Sequence, residues 1–350
     1  MDVTVDKGRI DYISLASALS CIAVVLLHTN ECFWGDPGEK YWFSANIIES
    51  ICYFAVPVFF MIPGVTLLDF YDRYTLKEYL IKRIRKTVVP YVAWSLLGLA
   101  YQIYIIRTID SQVVNLRYIV DGLFTGSLVS VYWFFIPLFS VYLSIPLLAL
   151  VPGDKRREVF RYLVFAGLLF NIACPFIINV FDFNLHFPLS VGVVSGYLIY
   201  VMIGWLIDDD QISAVMKAAI YTLAVLGFLV HLIGTYKVSV AAGEVLRTYK
   251  GYLTLPCVFY CIGAFLLMRQ KGGRMMKNKA VYRIVNILSK YTFAIYLLHL
   301  LVLRTITTMF VLDNTTIAFR LIVPIIIVCI CVAITAIIRK VPLLRNILPT

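Results

Sequence analysis

Long apolar runs separated by short polar segments make up most of the chain. Runs of about 18 or more apolar residues fit the roughly 20 helical residues that cross the hydrocarbon of a bilayer. The runs do not alternate between apolar and polar positions with a period of two, so they favour helices over the strands of a barrel. The pattern predicts ten transmembrane helices, at residues 11–30, 45–68, 88–107, 129–151, 159–180, 189–207, 213–234, 251–268, 286–308 and 317–338.

Composition supports a membrane protein. Of the 350 residues, 61% are hydrophobic and 15% are charged, and the mean hydropathy is +0.87. A soluble domain is about half apolar and about a quarter charged. We therefore predict an all-α, polytopic membrane protein in the lipid bilayer, in which residues 1–350 form a single integral-membrane domain.

The basic residues predict the orientation of the helices. The formal net charge is +11. With a cytoplasmic N-terminus, 23 of the 31 Lys and Arg residues fall in cytoplasmic segments, as the positive-inside rule expects. Ten helices then return the C-terminus to the cytoplasm. Because topology accounts for the excess of cations, we expect no nucleic-acid partner.

The eight cysteines predict neither disulfides nor a metal site. Most of them lie inside apolar runs, where cysteine usually packs as a small apolar residue. Cys257 and Cys261 are four residues apart, but no matching set of His and Asp residues stands beside them in the sequence. We therefore predict no disulfide framework and no bound metal.

The first candidate for chemistry is His28, at the end of the run "IAVVLLHTN". It lies about 16 residues after the start of the first helix, which is about 24 Å along an α-helix. An ionisable residue at that depth is a functional candidate by default; a satisfied structural histidine is the alternative. Thr29 and Asn30 follow at once, and we predict that Asn30 contacts a substrate.

Two further ionisable residues lie inside predicted helices. Glu49 is one turn into the second helix, at a height similar to that of His28. It is predicted to orient the imidazole, with a solvated helix end as the alternative. His299 lies in the middle of the ninth helix, in "FAIYLLHLLVL". We count both with His28 as candidate catalytic residues.

The densest charge cluster is "EYLIKRIRKTVVPY", which includes Arg83, Arg85 and Lys86. Arg83 and Lys86 are three residues apart, so on an α-helix they share a face. A cationic pair at the cytoplasmic mouth of a helix suits a phosphorylated ligand, although a topology signal that binds anionic lipid is an open alternative. The chain has no GxxxxGK[ST] motif, and no GxGxxG follows a strand, so neither type of nucleotide site is expected.

Aromatic residues begin the fourth predicted helix, in "VYWFFIPLFSVYLSIPLL". Tyr132 and Trp133 are typical of an interfacial aromatic belt. They are also placed where they could form the wall of an acceptor site, and we retain both as candidate substrate-binding residues.

Taken together, several segments resemble the membrane acyltransferase type 3 family, the O-acyltransferases of bacterial cell-surface glycans. The likeness runs over nearly the whole chain, and the order of the motifs supports it more than any single motif. The segments are "RIDYI…CIAVVLLHT", "AVPVFFMIPGVTLL", "YLIKRIRKTVVPYVAWS", "VYWFFIPLFSVYLSIPLL", "YLIYVMIGWLI" and "ILSKYTFAIYLLHLLV".

The resemblance implies a donor, an acceptor and a location. The donor would be acetyl-CoA on the cytoplasmic side of a bacterial plasma (inner) membrane, and the acceptor a hydroxyl of a surface polysaccharide or its lipid-linked precursor. It also implies that the first-helix His, here His28, is catalytic. The Arg-x-x-Arg of the family corresponds to Arg83–Lys86, and its "IYLLH" to Ile295–His299.

The chain departs from the family pattern at two positions. The family usually has Arg, sometimes Lys, eleven residues before the catalytic His, where this chain has Ser17. Pro63 replaces the usual Ser in "FFMISG". If the missing cation helps to hold the donor, either Arg9 or Arg83 compensates or the activity is altered. Arg9 is about 12 Å from Ser17 along an ideal helix, too far to be a simple substitute.

These departures keep a second function open. A similar membrane half occurs in membrane-bound serine racemases, where amino-acid uptake has been proposed. A transporter or small-molecule sensor on the same scaffold is therefore the alternative to an acyltransferase.

Overall fold

The fold was described from a computed structural model, which describes residues 7–185, 187–341 and 344–349. Within these ranges all regular structure is helical, which confirms the all-α prediction. The α-helices are α1 (Lys7–Thr29), α2 (Trp42–Cys52), α3 (Ala55–Leu67), α4 (Leu76–Arg83), α5 (Val89–Tyr104), α6 (Leu116–Thr125), α7 (Phe135–Ala149), α8 (Gly153–Ala166), α9 (Cys174–Val180), α10 (Leu198–Asp208), α11 (Ala214–Leu229), α12 (Thr235–Ala242), α13 (Leu255–Met275), α14 (Lys279–Met309) and α15 (Ile317–Ile338).

Among the described residues, seven helical segments are long and apolar enough to cross a membrane, so the chain is a multi-pass membrane protein. The other three predicted spans coincide with α5, α10 and α13, and the count of ten crossings stays a prediction. The seven segments are Asp11–Thr29, Trp42–Asp72, Ser130–Ala149, Gly153–Val180, Ala214–Ala242, Lys279–Met309 and Ile317–Ile338.

One predicted boundary is wrong. The sixth span does not begin at residue 189, because the segment before α10 contains only a short 3-10 turn and loop. Gly196 there has a φ of +60°, a left-handed conformation that stops a helix from continuing upstream. The predicted span 45–68 lies within the candidate membrane span Trp42–Asp72, which a turn at Tyr53 and Phe54 divides into α2 and α3.

Helix α1 lies at the centre of the bundle. It packs against α14, α13, α3 and α15, so residues along its length face several other helices. His28 lies in its last turn and Ser17 in its middle. Two residues mark the opposite ends of the bundle, His28 at one end and Arg83 at the other.

The backbones of α3 and α10 are in close contact, and two glycines make this possible. A Cβ on Gly64 would lie 1.9 Å from the carbonyl oxygen of Val201, and one on Gly204 would lie 2.3 Å from that of Met61. Small residues let backbones approach where no hydrophobic effect drives helices together in lipid. This contact holds Pro63, which precedes Gly64, in the interior of the bundle.

Helices α4 and α5 form one rod that is interrupted by a π-helical segment, Ile84–Val88. The rod begins with a capping box in which the side chains of Thr75 and Glu78 bond each other's backbone N–H groups. Because a π-helical turn contains an extra residue, it rotates the side chains that follow relative to an uninterrupted α-helix. The α-helical spacing used to pair Arg83 with Lys86 therefore does not hold here.

Candidate active site

His28 lies between two cavities. Its half-buried side chain lines both of them, and each has a volume of about 240 Å³. The first, called the aromatic cavity, extends into the bundle. The second, called the threonine cavity, opens between α1, α14 and the loop before α15, and includes Thr29, Thr307 and Asn314. The imidazole can therefore be reached from both sides.

His299 packs against His28, with ring centroids 5.1 Å apart. Its Nδ1 lies 2.7 Å from the carbonyl oxygen of Tyr296 and 3.1 Å from that of Ile295. Since carbonyl oxygens only accept, Nδ1 must carry the proton. The buried Nε2 has no hydrogen-bond partner among the described residues and is left as an acceptor. The sequence predicted both histidines but not that their rings meet.

Glu49 pairs with a lysine rather than with the imidazole. Its carboxylate lies 2.8 Å from Nζ of Lys250, and the two side chains are 5% and 1% exposed. Burial lowers the pKa of Lys250, and the Glu49 charge raises it. Glu49 also lines the aromatic cavity. The alternative of a solvated helix end is wrong, and the predicted orienting contact with His28 is replaced by this ion pair.

Asn30 is buried and lines neither cavity beside His28. Its amide nitrogen donates to the carbonyl oxygen of Ala45 at 2.9 Å and to Glu49 at 3.4 Å. Its Oδ1 accepts from Arg320 at 3.5 Å, which also donates to Ser44 at 2.8 Å. Asn30 thus ties α1 to α2 and α15. The structure does not place it where the predicted substrate contact requires.

The aromatic cavity brings together rings from five parts of the chain. Trp133 stacks on Tyr252 at 5.9 Å, and Tyr252 stacks on Tyr53 at 4.3 Å. The predicted residue Trp133 lines this cavity, but Tyr132 does not. Tyr132 is fully buried and donates its hydroxyl to the carbonyl oxygen of Leu297 at 2.7 Å. It belongs to the core, and the aromatic-belt reading fails for it.

A third cavity, of about 340 Å³, lies towards the other end of the bundle and is called the Arg83 cavity. It is lined by Arg83 together with Ser17 and Pro63, the two positions that depart from the family pattern. Lys290, which the sequence reading did not single out, also lines it. The hydroxyl of Ser17 donates to that of Thr292 at 3.2 Å.

The other predicted donor residues do not line the Arg83 cavity. Arg85 and Lys86 are exposed, because the π-helical segment moves them off the face that carries Arg83. The side chain of Arg9 lies outside the described part of the chain. Arg83 itself lies near the rings of Tyr79 and Tyr142, at 5.7 and 5.4 Å from their centroids, and its Nε is buried without a partner among the described residues.

The Arg83 cavity and the aromatic cavity are neighbours. They share three lining residues, Phe59, Phe134 and Tyr296, so these side chains form a wall common to both. Ser17 and His28 mark the two cavities on α1 and lie about 16 Å apart along an ideal helix. The two cavities are therefore adjacent, one beside Arg83 and the other beside His28.

Comparison with known proteins gives one match. A family model described as an acyltransferase domain matches residues 10–337, nearly the whole chain. Neither the curated proteins nor the solved structures contain a significant match. Among the described residues, no group of three or more His, Cys, Asp and Glu side chains is placed to hold a metal ion.

Proposed function

The chain belongs to the acyltransferase family whose model covers residues 10–337, and we propose that it moves an acetyl group from cytoplasmic acetyl-CoA to a sugar hydroxyl. The acceptor would be a cell-surface polysaccharide or its lipid-linked precursor, and the membrane the bacterial plasma membrane. The observation that carries the proposal is the position of the His28 imidazole between two cavities. The Arg83 cavity is adjacent to one of them, the aromatic cavity.

The proposed reaction needs a base beside the acceptor hydroxyl. An imidazole, which ordinarily titrates near pH 6.5, can serve as one at neutral pH. One His28 nitrogen takes the hydroxyl proton while the hydroxyl oxygen bonds to the thioester carbonyl carbon. The C–S bond then breaks with its electron pair on sulfur, and His28 returns the proton to that thiolate. The products are an acetyl ester and CoA.

His299 is proposed to position the base. The Nδ1–H of His299 donates to the carbonyl oxygen of Tyr296. Its Nε2 therefore keeps a lone pair that can accept a hydrogen bond. The ring separation of 5.1 Å allows an N–H of His28 to bond that nitrogen. The opposite nitrogen of His28 is then a lone pair directed away from His299, which is the form a general base needs.

Acceptor binding is assigned to the aromatic cavity. Ligand sites combine apolar and aromatic walls with a few polar groups that fix orientation. The flat faces of a sugar ring can stack on the rings of Trp133 and Tyr252, while Glu49 and Arg247 supply charged groups to its hydroxyls. Trp133 is therefore proposed to bind the acceptor, and Tyr132 only to support the core.

Donor binding is assigned to the Arg83 cavity. The missing cation at Ser17 is proposed to be replaced by Arg83 and Lys290, because both line the cavity that contains Ser17. The acyl-pantetheine arm, roughly 20 Å long by counting bonds, would cover the about 16 Å from Ser17 to His28. The arm would pass the wall of Phe59, Phe134 and Tyr296 that the two cavities share.

Arg83→Gln is expected to weaken binding of acetyl-CoA by about 10- to 100-fold, since a charge-assisted hydrogen bond contributes about 1.5–3 kcal/mol. Lys86→Gln, on the same rod but exposed, serves as the matched control and should change affinity by less than about threefold. The measurement is the Kd for acetyl-CoA of each purified variant in nanodiscs. If neither substitution changes the Kd for acetyl-CoA, the cluster is only a topology signal.

Both termini are expected on the cytoplasmic side, as the distribution of 23 of the 31 cations indicates. A phosphatase that is active only outside the cytoplasm should be inactive when fused to the C-terminus. The same enzyme inserted after Gly38, an exposed position between α1 and α2, should be active. High activity of the C-terminal fusion would contradict the orientation.

A transport or sensor role is the second candidate, because neighbouring cavities that share the wall of Phe59, Phe134 and Tyr296 would also suit passage of a small molecule. The two functions differ in one measurement. An acyltransferase releases free CoA thiol from acetyl-CoA when purified and given envelope glycans. A transporter instead moves labelled solute into proteoliposomes without consuming acetyl-CoA.

A further inference from the structure

A wide cleft lies where α13 ends and α14 begins, next to the Arg83 cavity. Its volume is about 950 Å³. Lys277, Lys279, Arg283 and Lys290 line it, together with one carboxylate, Asp11. We call it the basic cleft.

The four cations of the basic cleft are available to a ligand. All four side chains are exposed, and none of them forms a salt bridge with the residues that the structure describes. Other cations of the bundle are neutralised, for example Arg156 by Asp69 at 2.5 Å and Arg157 by Asp209 at 2.6 Å. A concave surface with unneutralised cations attracts a polyanion.

The basic cleft adjoins the proposed donor site. Lys290 lines both the cleft and the Arg83 cavity. A ligand that spans both would have a highly anionic head in the cleft and a narrow, weakly charged arm in the cavity. Tyr282 and Tyr291 in the cleft wall offer aromatic faces on which a base can stack.

Resting on the proposed function, we infer that the basic cleft binds the 3′-phosphorylated ADP head of the acyl-CoA donor. The 3′-phosphate and the diphosphate together carry about four negative charges at neutral pH, which the four cations match in number. Lys277, Lys279 and Arg283 hold the phosphates at the outer part of the cleft, and Lys290 directs the pantetheine arm into the Arg83 cavity. Anionic lipid headgroups share the phosphate chemistry and are the competing occupant.

The test compares CoA with 3′-dephospho-CoA, which differ only in the phosphate assigned to the cleft. Kd values are measured for the full chain in neutral-lipid nanodiscs, for wild type and for the triple variant Lys277→Gln/Lys279→Gln/Arg283→Gln. Wild type is expected to bind CoA about tenfold more tightly than 3′-dephospho-CoA. The factor is modest because the contacts are exposed. The triple variant should bind the two ligands equally. Lys271→Gln, an exposed lysine of α13 outside the cleft, should keep the wild-type ratio.

Each other outcome has a defined meaning. If wild type does not bind CoA at all, the proposed function itself fails. If wild type binds CoA but the triple variant keeps the wild-type ratio, the donor site stands and the basic cleft assignment is overturned. If wild type shows no preference and the variants differ only in nanodiscs that contain anionic lipid, the cleft is a lipid headgroup site, which also overturns it.

Discussion

His28→Gln is expected to lose at least about two decades of acyl transfer, since general-base catalysis contributes about 10²–10⁴-fold. Glutamine keeps approximate size and hydrogen bonding but cannot accept a proton near neutral pH. His28→Ala should be equally inactive, and both variants should insert and fold, because the half-buried side chain lines cavities and is not part of the tightly packed core. The measurement is release of CoA thiol from acetyl-CoA by purified protein supplied with envelope glycans.

Two further histidines make this test specific. His299→Asn keeps a donor for the carbonyl oxygen of Tyr296 but removes Nε2, so a positioning role predicts a loss of only about tenfold, below the range for the base itself. His231→Gln changes an equally buried imidazole whose Nδ1 lies 3.1 Å from the carbonyl oxygen of Tyr249 and which lines none of the three cavities. It should retain transfer per folded molecule.

Which histidine is the base is decided by comparing the loss of transfer in His28→Gln with that in His299→Asn. Wild-type transfer by His28→Gln, together with complete loss in His299→Asn, would make His299 the base. In that case His28 would be a structural residue at the junction of two cavities. Equal and complete loss in both variants would indicate that the two imidazoles act as one unit.

The sequence could identify His28 because its depth depends only on its position along one predicted helix. An imidazole late in a continuous apolar run has a depth that follows from the rise of an α-helix, and depth alone makes it a functional candidate. The same reasoning located His299 in the ninth predicted helix. Their contact at 5.1 Å could not be read from either run, since it depends on the packing of α1 against α14.

The partner of Glu49 was out of reach for a different reason. Lys250 lies in the loop before α13, some 200 residues away, and the loop folds back so that its ammonium is buried. From the sequence, a cation in a predicted outer loop is expected to be exposed to solvent. The one available signal was that Lys250 and Arg320 are among the few cations outside the cytoplasmic segments, where topology gives no reason for them.

Local backbone geometry accounts for the donor residues that were misplaced. A spacing of three residues puts Arg83 and Lys86 on one face only if the helix is regular. The π-helical segment Ile84–Val88 intervenes, and no residue type in "IRKTV" marks it. Lys290 was overlooked for the opposite reason, because a lone lysine at the start of an apolar run is an ordinary topology signal.

Lys250→Met is expected to destabilise the protein by about 3–5 kcal/mol, because it leaves the Glu49 carboxylate buried and unpaired. The loss extends beyond the pair itself. Nζ of Lys250 lies 3.6 Å from the ring centroid of Tyr53, and Glu49 accepts from Asn30, so the loop, α1 and α2 are joined here. Thermal unfolding in detergent, followed by tryptophan fluorescence, measures the change.

A second ion pair provides the matched control for Lys250→Met. Lys217 and Asp210 are 3.2 Å apart with side chains 27% and 47% exposed, and such a pair contributes only about 0–1 kcal/mol. Lys217→Met should therefore leave the unfolding temperature nearly unchanged. The double variant Lys250→Met/Glu49→Gln should be more stable than Lys250→Met alone, because it removes the uncompensated charge. If Lys250→Met unfolds at the wild-type temperature, Glu49 is not held as a buried carboxylate by Lys250, and the wall of the aromatic cavity beside His28 must be stabilised in another way.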